Sequence, residues 1–205
     1  MKKILLVAGL LMCGHGGAAI ALPVTLDFDA LSNPPGVSGL PNTHGTTIDE
    51  DGFRLITNAS FGGFASFSPS SGFYTGSTSL FSNTVGSFTT LSQINGDSFS
   101  MAGIALAFRT VPESQTASLT FTGVKSGGPV TQTFSFVQGP TISVQNFSFG
   151  ASFSDLLSVS WIQGNEGHQF DNIQVDGAPV AAPEPGMLAL FGLGLAGLGF
   201  VRGGR

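Results

Sequence analysis

The chain reads as an all-β protein, an antiparallel two-sheet β-sandwich of jelly-roll-like form. Runs of Phe, Val, Ile and Thr alternate with polar residues, and clusters of Gly, Pro, Asn and Asp break them about every ten positions. No stretch of the body carries sustained helical periodicity with caps. Strands with one apolar face must bury it, and the economical solution is sheet packed on sheet.

Taken in order, the predicted strands are Val24 to Phe28, Gly52 to Thr57, Ser60 to Phe67, Ser87 to Leu91 and Ser98 to Phe108. They continue with Ala117 to Val124, Val130 to Val137, Ile142 to Phe149, Leu156 to Gln163 and His168 to Val175. Alternation is cleanest in Leu119-Thr120-Phe121 and in Leu157-Ser158-Val159-Ser160-Trp161, where one face is apolar and the other hydroxylic. The segment Phe61 to Asn83 is rich in Ser and Gly, yet it contains Phe61, Phe64, Phe67, Phe73, Tyr74 and Phe81. That aromatic content argues against disorder. The segment reads as a short strand followed by a long loop, either facing a ligand or capping a sheet.

Residues 22–178 are enough for one core and too few for two comfortable domains. Eleven acids stand there against Arg54, Arg109 and Lys125, a net of −8. Phosphate backbones are repelled by such a body, which excludes nucleic acid as a partner. Solubility comes from Ser, Thr, Asn and Gln instead of charge, a composition compatible with neutral or cationic glycans or with no ligand at all.

Both flanks read as targeting segments. Lys2 and Lys3 precede the apolar run Ile4 to Met12, and Ala19-Ile20-Ala21 supplies a small-x-small cleavage site, so residues 1–21 are expected to be a signal peptide cut after Ala21. Cys13, the only cysteine, falls within that leader, and Met12 is too large to precede a lipidated cysteine. The mature chain then offers neither disulfides nor thiolate metal sites. At the other end, residues 179–205 hold a linker, Pro183-Glu184-Pro185, sixteen uncharged residues from Gly186 to Val201, and a basic end with Arg202 and Arg205. The Pro-x-Pro hinge stops any preceding element and leaves extended backbone open to a protease. The apolar run is short for a bilayer span and contains five glycines, so as a helix it inserts weakly, with the arginines held in the cytoplasm.

Pro183-Glu184-Pro185, the glycine- and leucine-rich stretch and the terminal arginines together resemble the PEP-CTERM sorting signal. The basic end is sparser than the family's usual arginine cluster. The resemblance implies a Gram-negative producer of exopolysaccharide, export by signal peptidase and the general machinery, and transient inner-membrane anchoring by the apolar sorting helix. It also implies an exosortase that removes the tail, and a final place at the cell surface or in the extracellular matrix.

The body is loosely similar to domains found ahead of that signal, which open with Phe-Asp near the first strand and close on a strand such as Phe170-Asp171-Asn172-Ile173. Here the opening is Asp27-Phe28-Asp29, followed by Asp51-Gly52-Phe53. The body is also similar to sandwich-fold carbohydrate-binding modules, many of which hold a structural calcium ion. With a strand period of two, Asp171, Ile173 and Val175 are expected on one face, and an aspartate among core residues needs a partner. Calcium held by Asp171 with Asp27 or Asp29 is one answer; hydrogen bonds from backbone N–H groups are the other.

Catalytic constellations are sparse. His44 and His168 have neither a Gly-x-Ser-x-Gly elbow nor a His-Glu-x-x-His pair beside them. Glu166 with Asp155 or Asp171 is the one carboxylate pairing a glycosidase would use, but Asn165-Glu166-Gly167 reads as a turn. The expectation is a non-enzymatic structural or adhesive protein of the exopolysaccharide or biofilm matrix. The alternative is a calcium-stabilised carbohydrate-binding module in which Tyr74, Trp161 or loop phenylalanines stack on sugar rings; a secreted glycan-processing enzyme is the remote one.

Overall fold

The structure is a computed structural model that describes residues 23–31, 34, 40–109, 115–139 and 141–176. The expected signal peptide, the sorting motif Pro183-Glu184-Pro185, the apolar sorting helix, and Arg202 and Arg205 lie outside the described residues. Among the described residues no helix is long and apolar enough to cross a membrane.

The described chain is all-β. Its strands are β1 (Pro23–Leu26), β2 (Asn42–Gly45), β3 (Thr47–Glu50), β4 (Phe53–Thr57), β5 (Phe64–Ser66), β6 (Leu80–Ser82) and β7 (Phe88–Gln93). After them come β8 (Ser100–Phe108), β9 (Thr116–Val124), β10 (Val130–Val137), β11 (Gln145–Ser148), β12 (Ser158–Ile162) and β13 (His168–Asp176), with a 3-10 turn at Ala151–Phe153. The first sheet runs β11-β8-β13-β6-β5-β2, with β1 also paired to β13; the second runs β10-β9-β12-β7-β4-β3. Every strand pairing is antiparallel.

The alternation read from β9 holds: Leu119 and Phe121 are buried while Thr120 is exposed. In β12, Val159 and Trp161 point inward, but Leu157 is exposed, because Leu156 takes the core place and bridges to Phe99. Aromatic edge-to-face contacts knit the core. Phe170 of β13 meets Phe28, Phe64 and Trp161 at centroid distances of 6.0, 6.2 and 5.1 Å, all close to perpendicular. That geometry sets the positive ring edge on the negative face of its neighbour.

Three strands were not expected from the sequence. β3 forms a two-residue hairpin with β4 through Asp51 and Gly52, whose φ values of 47° and 83° are those of a tight primed turn. An Asp-Gly pair ahead of a strand carries that signal, whereas Thr47–Glu50 itself has one buried apolar residue, Ile48. β2 is polar throughout, and β6 lies inside the serine-rich stretch. β2 and β5 come so close that a Cβ on Gly63 would sit 2.1 Å from the Gly45 carbonyl oxygen, with Gly63 at φ 72°. Only glycine satisfies both demands.

Where β10 and β11 form neighbouring edges of the two sheets, a pair of glutamines closes the seam. Gln145 of β11 donates its amide to the Val137 carbonyl (2.7 Å) and accepts from the Val137 N–H (3.4 Å), standing in for a neighbouring strand. Gln132 of β10 reciprocates, donating to the Ser148 carbonyl (3.1 Å) and accepting from the Gly150 N–H (3.0 Å). Phe134 and Phe147, 4.8 Å apart, fill the space between them. β10 is long, uncharged and free of proline, the kind of edge that recruits another chain. Replacing both Gln132 and Gln145 by Ala is expected to leave the cooperative unfolding transition in place, lowered by about 2 kcal/mol. The same variant should self-associate more readily, read by sedimentation velocity across a concentration series.

Candidate functional site

The closing motif acquires its physical meaning in β13. The pairing with β8 slips between Asp171 and Gln174, so that two residues of β13 oppose one of β8, and Asn172 occupies the left-handed region at φ 47°. Asn tolerates that conformation better than most residues. The bulge corrects the expected period: Asp171 does not share a face with Ile173 and Val175. Phe170, Ile173 and Val175 belong to the main core, and Asp171, paired with Ala105, faces the outside of the first sheet.

That outside is covered by residues 67–79, so the aromatic segment caps a sheet. Phe67, Phe81 and Ala65 form a small second core with Phe73 packed against it, and the Arg109 guanidinium lies 5.1 Å over the Phe81 ring. Gln169 pins the cap by donating to the Phe73 carbonyl (3.0 Å) and the Phe108 carbonyl (2.9 Å). Asp171 pins it further along. Its carboxylate accepts hydrogen bonds from the Ser77 hydroxyl, from the Ser79 hydroxyl (3.4 Å) and from the Asn172 N–H (2.7 Å). Burial nonetheless pushes its pKa up to about 6, with the nearby Asp29 charge adding to the rise.

Of the three acids expected to hold calcium, the structure brings Asp29 near Asp171 and turns Asp27 elsewhere. Asp29 accepts the Thr78 N–H (3.0 Å) from the cap, while Asp27 accepts the N–H of Asp29 (3.1 Å). Glu50, which sequence reasoning did not single out, accepts the N–H groups of Asp27 and Phe28, and burial pushes its pKa up. Among the described residues no three His, Cys, Asp or Glu side chains converge closely enough to hold a metal ion.

The two expected stacking residues differ in placement. Tyr74 is half-buried in the cap. Trp161 is 2% exposed, with Phe121 and Phe170 at 5.3 and 5.1 Å, so its ring is taken up by the core and does not reach a ligand at the surface. Its period-two position in β12 made the inward direction legible; an eye on the lone tryptophan as a sugar platform missed it. The carboxylates considered for hydrolysis are also dispersed: Glu166 is exposed in the turn before β13, Asp155 is exposed before β12, and Asp171 lies under the cap. His44 shares a 2.7 Å hydrogen bond with the Ser66 hydroxyl. His168 is buried at the end of the sandwich beside a crevice with room for about one water, also lined by Glu166 and Phe136. Burial lowers its pKa to about 3.

Among the described residues the outer face of the second sheet has no such cap. One row of outward residues crosses all six strands in register: Thr131, Thr122, Ser160, Thr90, Ile56 and Thr47. Hydroxyls there pair with one another, Ser118 with Ser135 (2.9 Å) and Thr120 with Thr133 (2.8 Å). Phe88, opposite Ile162 in the register, is 46% exposed and Ile162 45%, while Phe61 at the same end is 74% exposed. Sequence reasoning placed Phe88 in a strand without assigning it a face. A shallow hollow of about 280 Å³ lies at the other end, lined by Asp51, Phe53, Gln93, Ile94 and Asn95.

The family model described as the PEP-CTERM protein-sorting motif matches residues 181–203. Chain and motif together define an exported β-sandwich protein addressed to an exosortase for membrane-anchored sorting. The chain carries the PEP-CTERM sorting motif, as the Pro183-Glu184-Pro185 tail led one to expect. No curated protein matches the chain. Among solved structures it is similar to a family 11 carbohydrate-binding module from Clostridium thermocellum, solved with a beta-1,3-1,4-mixed-linked tetrasaccharide. The identity is 14%, 78% of this chain and 98% of that chain are covered, and the TM-score of 0.31 is too low for anything to be carried across.

The two buried groups pull stability in opposite directions with pH. Asp171 is protonated more readily folded than unfolded, so its contribution grows as pH falls from about 6 toward 4, by on the order of 3 kcal/mol. His168 is protonated less readily folded than unfolded, so its contribution is lost as pH falls below about 6.5. Asp171→Asn is therefore expected to steepen the loss of stability between pH 6 and pH 4, relative to the unsubstituted protein, in urea denaturation at fixed pH values.

Proposed function

We propose that this protein is a non-enzymatic component of the extracellular matrix, structural or adhesive, that associates with exopolysaccharide after exosortase processing. The observation that supports this most is the sorting motif at residues 181–203, joined to a sandwich whose second sheet presents an uncapped, hydroxyl-rich outer face. The leader directs the chain out of the cytoplasm, the tail holds it at the inner membrane until it is cut, and the body then meets the matrix through hydroxyl and apolar side chains. Charge plays little part in that contact.

A calcium-stabilised carbohydrate-binding module is the second reading, favoured by the approach of Asp29 to Asp171 beneath the cap. In that reading Asp29 and Asp171 share the ion with Ser and backbone oxygens of the cap, and metal binding stiffens the loop over the first sheet.

Both readings are tested in an exopolysaccharide-producing host that has an exosortase, comparing the full chain with a variant in which Pro183, Glu184 and Pro185 are all Ala. The unsubstituted chain is expected to lose its tail and co-fractionate with the exopolysaccharide, whereas the variant keeps its tail and stays with the membrane fraction. Processed protein that washes freely from the polysaccharide would contradict the matrix role. Release by a calcium chelator would favour the second reading over the first.

A further inference from the structure

We infer that the outer face of the second sheet binds a neutral polysaccharide chain, with Phe88 and Ile162 as its apolar platform and the threonine and serine rows as its hydrogen-bonding flank. This rests on the matrix role proposed above and names the surface and the chemical class of ligand.

Two features of the face select that class. Rows of side chains in register repeat at the strand spacing of about 4.8 Å, and residues two apart along a strand repeat at about 6.8 Å, giving a grid of hydroxyls. The row from Thr131 to Thr47 has five hydroxyl residues and Ile56. A sugar ring has the complementary make-up, hydroxyls around its rim and C–H groups on its faces. Phe88 and Ile162 sit directly opposite each other on β7 and β12, and Ile56, within the row itself on β4, lies diagonal to Phe88; all three apolar side chains are 45 to 47% exposed. Exposed aromatic rings attract the C–H face of a sugar, and neighbouring hydroxyls supply direction.

Charge decides between neutral and anionic polymers. The charged pair within the strand pairs of this face is Arg54 and Asp49, which neutralise each other in a two-pronged ion pair at 2.6 and 2.7 Å. Among the described residues the strands of this face carry no further cation, and Lys125, just past β9, donates to the Ser152 carbonyl, so an anionic polymer would meet few cations and an acidic body. A second copy of the chain is a poorer occupant: hydroxyls interrupt the apolar residues, and a stable homodimer needs a more continuous apolar core. The first sheet offers no equivalent, since its outer side is covered by residues 67–79 and carries buried Asp171.

The test uses the full chain purified in mild detergent and run by affinity electrophoresis in gels containing hydroxyethylcellulose, dextran or polygalacturonate. Retardation by at least one of the two neutral glucans is expected. Phe88→Ser combined with Ile162→Ser should weaken it about tenfold or more with unchanged thermal unfolding, and Phe88→Trp should retain it. Retardation by polygalacturonate alone, by none of the three, or equally in the double variant would overturn the assignment. So would sedimentation velocity showing a dimer that the double variant abolishes. The matrix role is separable: if the double variant still co-fractionates with the native exopolysaccharide in the producing host, this face is wrong and that role stands. If the unsubstituted chain fails to co-fractionate, the role itself fails.

Discussion

One irregularity in one strand organises the molecule. β13 is bordered by β1, β6 and β8, and the bulge at Asn172 lets Phe170 and Ile173 both enter the core while Asp171 leaves it. Without the extra residue, strict alternation would put Phe170 and Ile173 on opposite faces. With it, Phe170 reaches Phe28 on the first strand's exit, Phe64 on β5 and Trp161 on the opposing sheet. The carboxylate thrown outward is costly to bury, and that cost is offset by the Ser77, Ser79 and Asn172 donors. Those same hydrogen bonds pull residues 67–79 down over the first sheet. The two sheets thus acquire different outsides, one roofed by phenylalanine and serine, the other open and hydroxylic.

The parts of this that were legible in the sequence are the ones that repeat. Period-two alternation in β9 and β12 is visible because every second residue obeys it, and the sorting tail because charge, proline and apolar length change abruptly at Pro183. What was hidden depends on single residues or on distant partners. The Asp171-Asn172 bulge breaks the period that sequence reading relies on, and Asn at a left-handed φ looks like any other polar residue in a strand. β2 has no apolar residue to betray it and forms because Gly63 lets its backbone approach Gly45. Asp51-Gly52 carries the signal of a tight hairpin turn, but read as the start of a strand it left β3 unseen. Trp161 was misjudged by its chemistry when its position in an alternating strand already pointed it inward.

The proposed function rests on the difference between the faces and on the address. A buried, capped first sheet contributes stability, with Asp171 and Gln169 each tying the cap to the strands beneath. The second sheet keeps its hydroxyl rows and the Phe88 cluster in contact with solvent, and its edge next to β11 is stitched by Gln132 and Gln145, so that exposure does not become strand-to-strand aggregation. In the proposed role, a chain exported by its leader and released from its tail presents such a face to polymer without recruiting copies of itself.

The division between a closed face and an open one is tested most directly by hydroxyl-radical footprinting of the processed protein, free and bound to the producing organism's exopolysaccharide. Phe88 and Phe61 are expected to oxidise readily in the free protein and to be protected in the bound one, with Phe81 and Trp161 unreactive in both. Unchanged oxidation of Phe88 on binding, with protection appearing at Tyr74 and Phe73 instead, would place the contact on the capped sheet and contradict the account.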